Sequence, residues 1–373
     1  LISIGFKWER KELTKLYDIP GYWFPAFSSS VSSEDVGPYG YGAGIYHSSD
    51  SLYTIQAAPS RRMPTHNIIL TNDVGGYAQT IMDFNQFRFH LGVRADNNSS
   101  YGSSINPRLS TTYKFNNHKG VIKLVYAEAF QEPAPIQLFG GWSGRQSNPN
   151  LNPEKARNLE LIGMYNLGPV LFDASVFYAK YDNVIKEEAE NAGERTIYGV
   201  EVRTNYAFKN FIPKASRISG YVYYSYIKAM SGMFYDHNET DPNIDKWKEG
   251  EAELGDIAPH KINMGINLPL VKGVNLNVRG NYVSQRLVYL RNALRAKEYK
   301  IDEYFTLDGT ISYNVSFLTL AIKVKNILDK EHFHPGPESA SAGDDFSNRS
   351  LGYQNSVLPQ AGRSYLVSAT FRF

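Results

Sequence analysis

Residues 85–115 carry an alternation of apolar and polar side chains with a period of two. From Phe87 to Asp96 every second residue is apolar, and most of the intervening side chains are charged. The first set is Phe87, Phe89, Leu91, Val93 and Ala95, and the second is Arg88, His90, Gly92, Arg94 and Asp96. A period of two predicts a β-strand. One apolar face and one charged face are typical of a transmembrane strand that lines a wet lumen.

The same pattern recurs along most of the chain and predicts about fourteen strands separated by turn-forming residues. An all-β fold follows, namely a transmembrane antiparallel β-barrel in which lipid-facing and lumen-facing side chains alternate. The predicted strands cover residues 1–10, 67–84, 85–96, 106–115, 119–130, 156–167, 168–183, 195–208, 216–230, 258–268, 274–287, 304–315, 317–327 and 364–373.

The composition agrees with a membrane barrel and excludes several other classes. The 373 residues include 27 Tyr and 20 Phe, which favour strands and membrane interfaces. The mean hydropathy of −0.39 and the lack of a long apolar run argue against a transmembrane helix. The net charge of +2 gives no support to nucleic-acid binding, and there is no cysteine. We expect a single barrel domain over residues 1–373.

The connections between the predicted strands alternate between long and short. Bacterial barrels have long extracellular loops and short periplasmic turns, so this alternation predicts the orientation. The C-terminus is therefore expected in the periplasm, and the even strand number places the N-terminal end there too. The long extracellular loops are predicted at about residues 11–66, 131–155, 231–257, 288–303 and 329–363.

Several segments, taken in order, resemble the TonB-dependent outer-membrane receptors. The closest match is Asn148–Glu154 (NPNLNPE), which is followed by Asn158–Leu161 (NLEL). No single motif is decisive, whereas the ordered set is specific and spans residues 67–373. The other matching segments are Gly76–Gln79, His90–Asp96, Asn106–Leu109, Tyr126–Leu138, Tyr198–Glu201, Ala258–Lys261, Lys325–Asp329 and Gly362–Phe373.

The resemblance implies an outer-membrane receptor of a Gram-negative bacterium that imports a scarce nutrient with energy from the TonB–ExbB–ExbD system. The family's barrel has 22 strands and encloses an N-terminal plug, so this chain corresponds to its last fourteen strands. The chain begins at Leu1 inside a strand-like pattern, and we expect it to be the C-terminal part of a longer receptor. The plug and the first strands of the barrel would then belong to a separate chain or to a part of the receptor that this sequence does not include.

Two other interpretations stay open at this point. A self-closed barrel of fourteen strands would form a passive porin or a fatty-acid-type channel. A barrel that only docks an adhesion partner or a phage would need no transport. For the receptor, a ferric siderophore is favoured as the substrate, because siderophores are common substrates of the family and the loops carry aromatic and arginine side chains. Cobalamin, a glycan or a peptide would fit these residues nearly as well.

No enzyme is predicted, because the chain has no nucleophile elbow, zinc-protease motif, P-loop or cysteine cluster. No cofactor is expected. His332 and His334 are weak candidates for metal ligands, and a polar loop surface is the alternative for this pair. Residues 137–147 hold no histidine where the haem-binding members of the family have a ligand, so haem is disfavoured.

Aromatic and arginine side chains in the predicted extracellular loops are the candidate ligand contacts. Rigid rings with a few cations suit an anionic, ring-bearing ligand such as a ferric catecholate. The alternative is that these rings belong to the interfacial girdle or pack the loops together. The candidates are Tyr22, Trp23, Tyr39, Tyr41, Tyr46, Trp142, Arg145, Tyr235, Trp247, Tyr289, Arg291 and Arg295.

A second set of charged residues is predicted on the lumen face of the strands. There they would contact the plug or trapped water rather than the ligand. The set is Arg88, Arg94, Arg108, Glu201, Arg203 and Arg279.

Overall fold

The computed structural model describes residues 1–14, 68–134, 137–138, 150–185, 190–212, 215–241, 244–271, 273–336 and 357–372, and strands dominate them. The strands of the main path are β1 (Ile2–Thr14), β2 (Ile68–Phe84), β3 (Phe87–Asn98), β4 (Gly102–Phe115), β5 (Gly120–Gln131), β6 (Glu154–Asn166), β7 (Val170–Asp182), β8 (Arg195–Ile212), β9 (Ala215–Tyr235), β11 (His260–Val271), β12 (Val274–Val283), β15 (Tyr304–Val315), β16 (Leu318–Lys325) and β19 (Ser364–Phe371). These fourteen strands correspond one for one to the predicted strands.

The fourteen strands form one antiparallel sheet in which each strand pairs with the next along the path. The path begins at β1, whose neighbour is β2, and ends at β19, whose neighbour is β16. The all-β antiparallel fold predicted from the alternation is confirmed. Up-and-down pairing of sequential strands is the arrangement of bacterial outer-membrane barrels.

Five short strands lie off the main path in the described residues. Four of them lie in segments that were predicted as loops, and one lies at the end of the predicted strand 274–287. β10 (Trp247–Glu253) pairs with the end of β9, β13 (Arg286–Leu287) pairs with β14 (Lys300–Ile301), and β17 (Phe333–Pro335) pairs with β18 (Val357–Pro359). A 3₁₀ helix covers Ala293–Lys297. The predicted loops 231–257, 288–303 and 329–363 therefore contain residues that pair as strands, and β12 ends four residues before its predicted end at Leu287.

The chain divides into two compact units. The first contains Leu1–Thr112, Leu124–Leu159 and Ala179–Arg195, and the second contains Tyr113–Lys123, Glu160–Tyr178 and Thr196–Phe373. The assignment of residues 1–373 to a single domain stays a prediction.

The two faces of β1 differ as the alternation predicts. Ile2, Ile4, Phe6 and Trp8 are 64% to 77% exposed, an exposure of large apolar side chains that is typical of contact with lipid. On the opposite face, Lys7 is 3.0 Å from the Asp73 carboxylate of β2. Apolar exposure on one face and ion pairs on the other are the signature of a membrane-spanning strand.

Glycines opposite tyrosines help to pair the strands. Gly5 lies opposite Tyr77 in the β1–β2 register, and a Cβ atom at Gly5 would lie 2.1 Å from the Tyr77 ring. In the second unit, Gly265 of β11 lies opposite Tyr221 of β9, and the equivalent distance is 2.5 Å. Each ring thus covers the space that the missing side chain leaves, which shields the backbone of the neighbouring strand.

Among the described residues, none forms a helix of the length and apolar character that crossing a bilayer requires.

Candidate ligand-binding site

Two loops of the second unit bring predicted ligand residues together. In the β9–β10 hairpin, Trp247 lies opposite Tyr235, and the two rings meet edge-on with their centroids 5.3 Å apart. The His237 ring packs on Tyr235 at 4.9 Å, and its Nε2 donates a hydrogen bond of 2.8 Å to the carbonyl oxygen of Leu290. This bond joins the Tyr235–Trp247 pair to the segment that carries Tyr289 and Arg291.

The segment from Val288 to Asn292 alternates between buried and partly exposed side chains. Val288, Leu290 and Asn292 are at most 3% exposed, whereas Tyr289 and Arg291 are half-buried. Val288 belongs to a small loop core together with Leu294, Ile301 and Val357, and Tyr299 and Phe333 pack against this core. Tyr289 and Arg291 are thus held on the other side of a packed segment and are partly exposed there.

Hydrogen bonds fix this segment at both ends. The Tyr289 amide donates to the Asp256 carboxylate at 2.9 Å, and the Asp256 amide donates to the Leu287 carbonyl at 2.7 Å. At the other end, the Asn292 side chain accepts from the Leu294 amide and caps the 3₁₀ helix. Asp256 was not predicted as a site residue, because a single loop aspartate gives no signal in the sequence.

Arg295 has a different environment from the one expected of a ligand contact. Its guanidinium donates to the main-chain carbonyl oxygens of Val288 and Glu253, at 2.9 and 2.7 Å. Burial lowers the pKa of this guanidinium, and Glu253 and Asp256 act in the opposite direction. The contacts that the structure shows therefore hold two loops together, and a ligand contact by Arg295 stays a prediction.

The indole Nε1 of Trp247 is a buried donor without a hydrogen-bond partner in the part of the chain that the structure describes. A buried donor left unpaired is destabilising by about 1–3 kcal/mol. This feature of the Tyr235–Trp247 pair could not be predicted from the sequence, because it depends on the packing around the ring.

The rings of His332 and His334 contact the ring of Tyr304, and His334 lies in β17 itself. The ring centroids of His332 and His334 are 6.0 Å apart, and the Tyr304 hydroxyl lies 3.2 Å from His334 Nε2. Buried Arg286 donates to the Phe333 carbonyl at 3.2 Å, while its Nε is buried without a partner among the described residues. No cluster of three or more metal-ligating side chains occurs in the described segments, and a metal role for the histidine pair stays a prediction.

The hairpin stability should depend on pH through His334. His334 is an exposed residue, and partial desolvation of its ring lowers its pKa from the ordinary value of 6.5, while the Arg286 cation and His332 lower this pKa further. As pH falls through 6.5 towards this lowered pKa, the unfolded segment binds a proton first, so folding stability is lost. We expect faster amide exchange in residues 357–360 at about pH 5.5 than at about pH 7.5, after correction for intrinsic rates. The amides that report this exchange are those of Val357, Leu358 and Gln360, because Pro359 has no amide hydrogen.

His334→Gln is the control for this prediction, because it removes the titrating group and leaves a hydrogen-bonding side chain. The variant should show the same protection of residues 357–360 at both pH values. An equal loss of protection at low pH in His334→Gln would assign the effect to another group.

The predicted lumen-facing residues form ion pairs and hydrogen bonds along the polar faces of their strands. Arg88 pairs with Asp83 at 2.6 Å, Arg94 with buried Asp96 at 2.6 Å, and Arg203 with Asp173 at 2.6 Å. Arg279 donates to the Asn277 side chain at 3.0 Å. Arg108 is exposed and lines a concavity of about 260 Å³ together with Arg94, His90 and Glu128, and Glu201 lies beside Arg203. Contacts of these residues with a plug stay predictions.

The partners of these arginines were not predicted. Asp83 and Asp173 occupy polar positions of the alternation, but their arginines lie on neighbouring strands, so only the strand pairing shows which arginine each one meets. Asp96 differs, because it lies two residues from Arg94 on the same face of β3. Near Asp96, the Tyr101 hydroxyl donates to Glu132 at 2.9 Å, and burial followed by this carboxylate raises the pKa of Tyr101.

The remaining candidate ligand residues lie outside the described residues. They are Tyr22, Trp23, Tyr39, Tyr41, Tyr46, Trp142 and Arg145.

Similar folds occur in solved outer-membrane receptors. The siderophore receptor PirA from Acinetobacter baumannii has a TM-score of 0.63 at 16% identity, over 100% of this chain and 52% of that protein. A mutant of the ferric enterobactin receptor PfeA from Pseudomonas aeruginosa has a TM-score of 0.63 at 13% identity, over 100% and 51%. The ferric-catecholate import receptor Fiu from E. coli has a TM-score of 0.59 at 17% identity, over 82% and 45%. At these identities the likeness shows the fold.

Among curated sequences, the vitamin B12 transporter BtuB from Vibrio cholerae is 24% identical over 268 residues, which cover 70% of this chain. The aligned region covers 39% of the relative, so the chain spans well under half of the length of that transporter. The family model described as TonB dependent receptor-like, beta-barrel, matches residues 11–327. That match covers most of the sheet, and with the pairing of sequential strands it shows that the chain belongs to the TonB-dependent receptor-like β-barrel family, as the sequence motifs predict.

Proposed function

We propose that this chain is the C-terminal part of the barrel of an outer-membrane receptor that binds a ferric siderophore and imports it with TonB energy. The observation that carries the proposal is the junction of the two extracellular loops through His237 and Leu290. This bond joins the aromatic pair Tyr235 and Trp247 to the segment that carries the partly exposed side chains of Tyr289 and Arg291.

This set of side chains fits the chemistry of a ferric siderophore. A ferric catecholate or carboxylate complex is anionic and presents flat rings or chelating oxygens. Aromatic faces pack against such rings, and an arginine forms charge-assisted hydrogen bonds with the oxygens. The solved receptors PirA, PfeA and Fiu, whose names refer to siderophores or ferric catecholates, support the same substrate class.

The receptor is proposed to need further strands and a plug beyond this chain. An open sheet edge exposes unpaired backbone groups, which hydrocarbon does not tolerate. β1 and β19 each have a single neighbour in the sheet order, so the N-terminal part of the receptor would pair with both edges. The TonB–ExbB–ExbD system would act through the plug in that part, with the C-terminus of the barrel in the periplasm.

The proposal is tested by uptake of radiolabelled ferric enterobactin into cells that express the full-length receptor and lack their own catecholate receptors. Uptake should require TonB, and Tyr289→Ala combined with Arg291→Ala should raise the KM by about a hundredfold. Lys297→Gln removes a charge from the neighbouring 3₁₀ helix and should leave the KM unchanged. TonB-independent accumulation would contradict active import and point to a passive pore.

Cobalamin is the second candidate substrate, since the curated relatives are vitamin B12 transporters. The same cells take up radiolabelled cyanocobalamin if that relation extends to this chain. Saturable cobalamin uptake without ferric enterobactin uptake would replace the siderophore as the proposed substrate.

A further inference from the structure

Arg295 connects two loop segments that are distant in the sequence. One nitrogen donates to Val288, seven residues earlier, and another donates to Glu253, 42 residues earlier. The planar guanidinium holds its donors in a fixed geometry, so the two bonds set the separation of these carbonyl oxygens. The end of β10 is thereby tied to the start of the Val288–Asn292 segment.

The position of Arg295 within its own element is also fixed. It lies in the 3₁₀ helix Ala293–Lys297, between the Asn292 cap and Glu298, whose amide donates back to the Arg295 carbonyl at 3.0 Å. The preceding residue, Leu294, is 6% exposed and belongs to the loop core. Movement of the guanidinium would therefore require the 3₁₀ helix to leave that core.

Other links between the two loops lie beside the Arg295 bridge. The Asp256 carboxylate accepts from Tyr289, and His237 donates to Leu290. The bond from His237 holds the connection between β9 and β10, two residues after Tyr235. The bond from Arg295 holds Glu253, the last residue of β10. With both ends of β10 tied to the segment, Tyr289 and Arg291 have a defined position relative to Tyr235 and Trp247.

We propose that Arg295 is a positioning residue for ligand capture, which places Tyr289 and Arg291 against the Tyr235–Trp247 pair without contacting the ligand itself. This inference rests on the proposed function, since it assigns the ligand surface to these four side chains. The Arg295 guanidinium donates to main-chain carbonyl oxygens, and a glutamine or lysine cannot reproduce both bonds in the same plane.

The experiment compares Arg295→Gln, Arg295→Lys and Lys297→Gln in the full-length receptor. The control removes the same charge from the exposed side of the same 3₁₀ helix. Ferric enterobactin uptake gives the KM and the maximal rate per receptor, and amide exchange of residues 286–292 reports the segment without ligand. Cyanocobalamin serves as the probe if it is the substrate that the wild type imports.

For Arg295→Gln we expect a KM raised by about tenfold, an unchanged maximal rate per folded receptor and faster exchange of residues 286–292. Arg295→Lys should be intermediate and Lys297→Gln should match the wild type. An unchanged KM in Arg295→Gln would overturn the proposal, and so would a raised KM with unchanged exchange, which indicates direct ligand contact.

Failure of the proposed function gives a different result. If the wild type imports neither probe, the substrate proposals are wrong, while the exchange data still decide the role of Arg295 in the segment. Faster exchange in Arg295→Gln alone then upholds the positioning of Tyr289 and Arg291, and unchanged exchange overturns it.

Discussion

Met264→Arg is expected to remove most of the folded receptor from the outer membrane, whereas Asn263→Arg should leave it almost unchanged. Met264 lies in β11 opposite Val222 and Gly280, on the apolar face, and is 38% exposed. An arginine on the lipid face of a barrel near the bilayer midplane costs about 2–4 kcal/mol. The folded fraction is measured by the heat-dependent mobility shift of the barrel in gels and by its amount in outer-membrane fractions.

Asn263 is a matched control, one residue away on the same strand. It lies opposite Tyr223 and Asn281, is exposed, and faces the polar side of the sheet, where water solvates a guanidinium. The two variants add the same side chain at nearly the same depth and differ only in the face. An equal loss of folded receptor for both substitutions would contradict the assignment of one face to lipid and the other to a wet lumen.

Gly255→Ala is expected to separate the two loops of the candidate site and raise the KM for the proposed substrate, ferric enterobactin, by at least about tenfold. Gly255 has a φ of +86°, and a Cβ atom there would lie 2.2 Å from the Val288 carbonyl oxygen. The backbone conformation alone costs about 1–3 kcal/mol for a residue with a side chain. The contact adds to this, because Val288 is fully buried and its carbonyl accepts from Arg295.

Gly102→Ala separates the two costs of this substitution. Gly102 also has a φ of +86°, but in the described surroundings no atom lies within 4 Å of the position that a Cβ atom would occupy there. It should therefore show the cost of the backbone conformation without the loop displacement. Amide exchange of residues 286–292 should rise in Gly255→Ala and stay at the wild-type rate in Gly102→Ala. Equal exchange rates in both variants would show that Gly255 does not hold the loops together.

The strands were predictable because the alternation of apolar and polar residues within each strand is enough to identify it. The prediction for residues 304–315 coincides with β15, and that for 85–96 differs from β3 by two residues at each end. An apolar residue at every second position satisfies lipid on one face regardless of the partner strand. The local pattern therefore carries most of the information that the sheet needs.

The prediction was less accurate where a strand leaves the sheet. Residues 284–287 were assigned to the strand that becomes β12, but this strand ends at Val283. The Leu287 carbonyl accepts from Asp256, and Leu287 pairs with Lys300 of β14 instead. These partners come from two distant segments, so the alternation could not indicate the end of the strand.

By itself, the sequence determined the fold class, the fourteen strands of the main path and the alternation of apolar and polar side chains along them. These properties follow from the alternation itself, because lipid favours apolar side chains on one face of a strand and water favours polar side chains on the other. They do not depend on which strand is the neighbour. Only the tertiary structure decided which charges pair, such as Arg203 with Asp173, and that Arg295 bonds to main-chain carbonyls. Such contacts depend on strand register and loop packing, where residues far apart in the chain meet within a few ångströms.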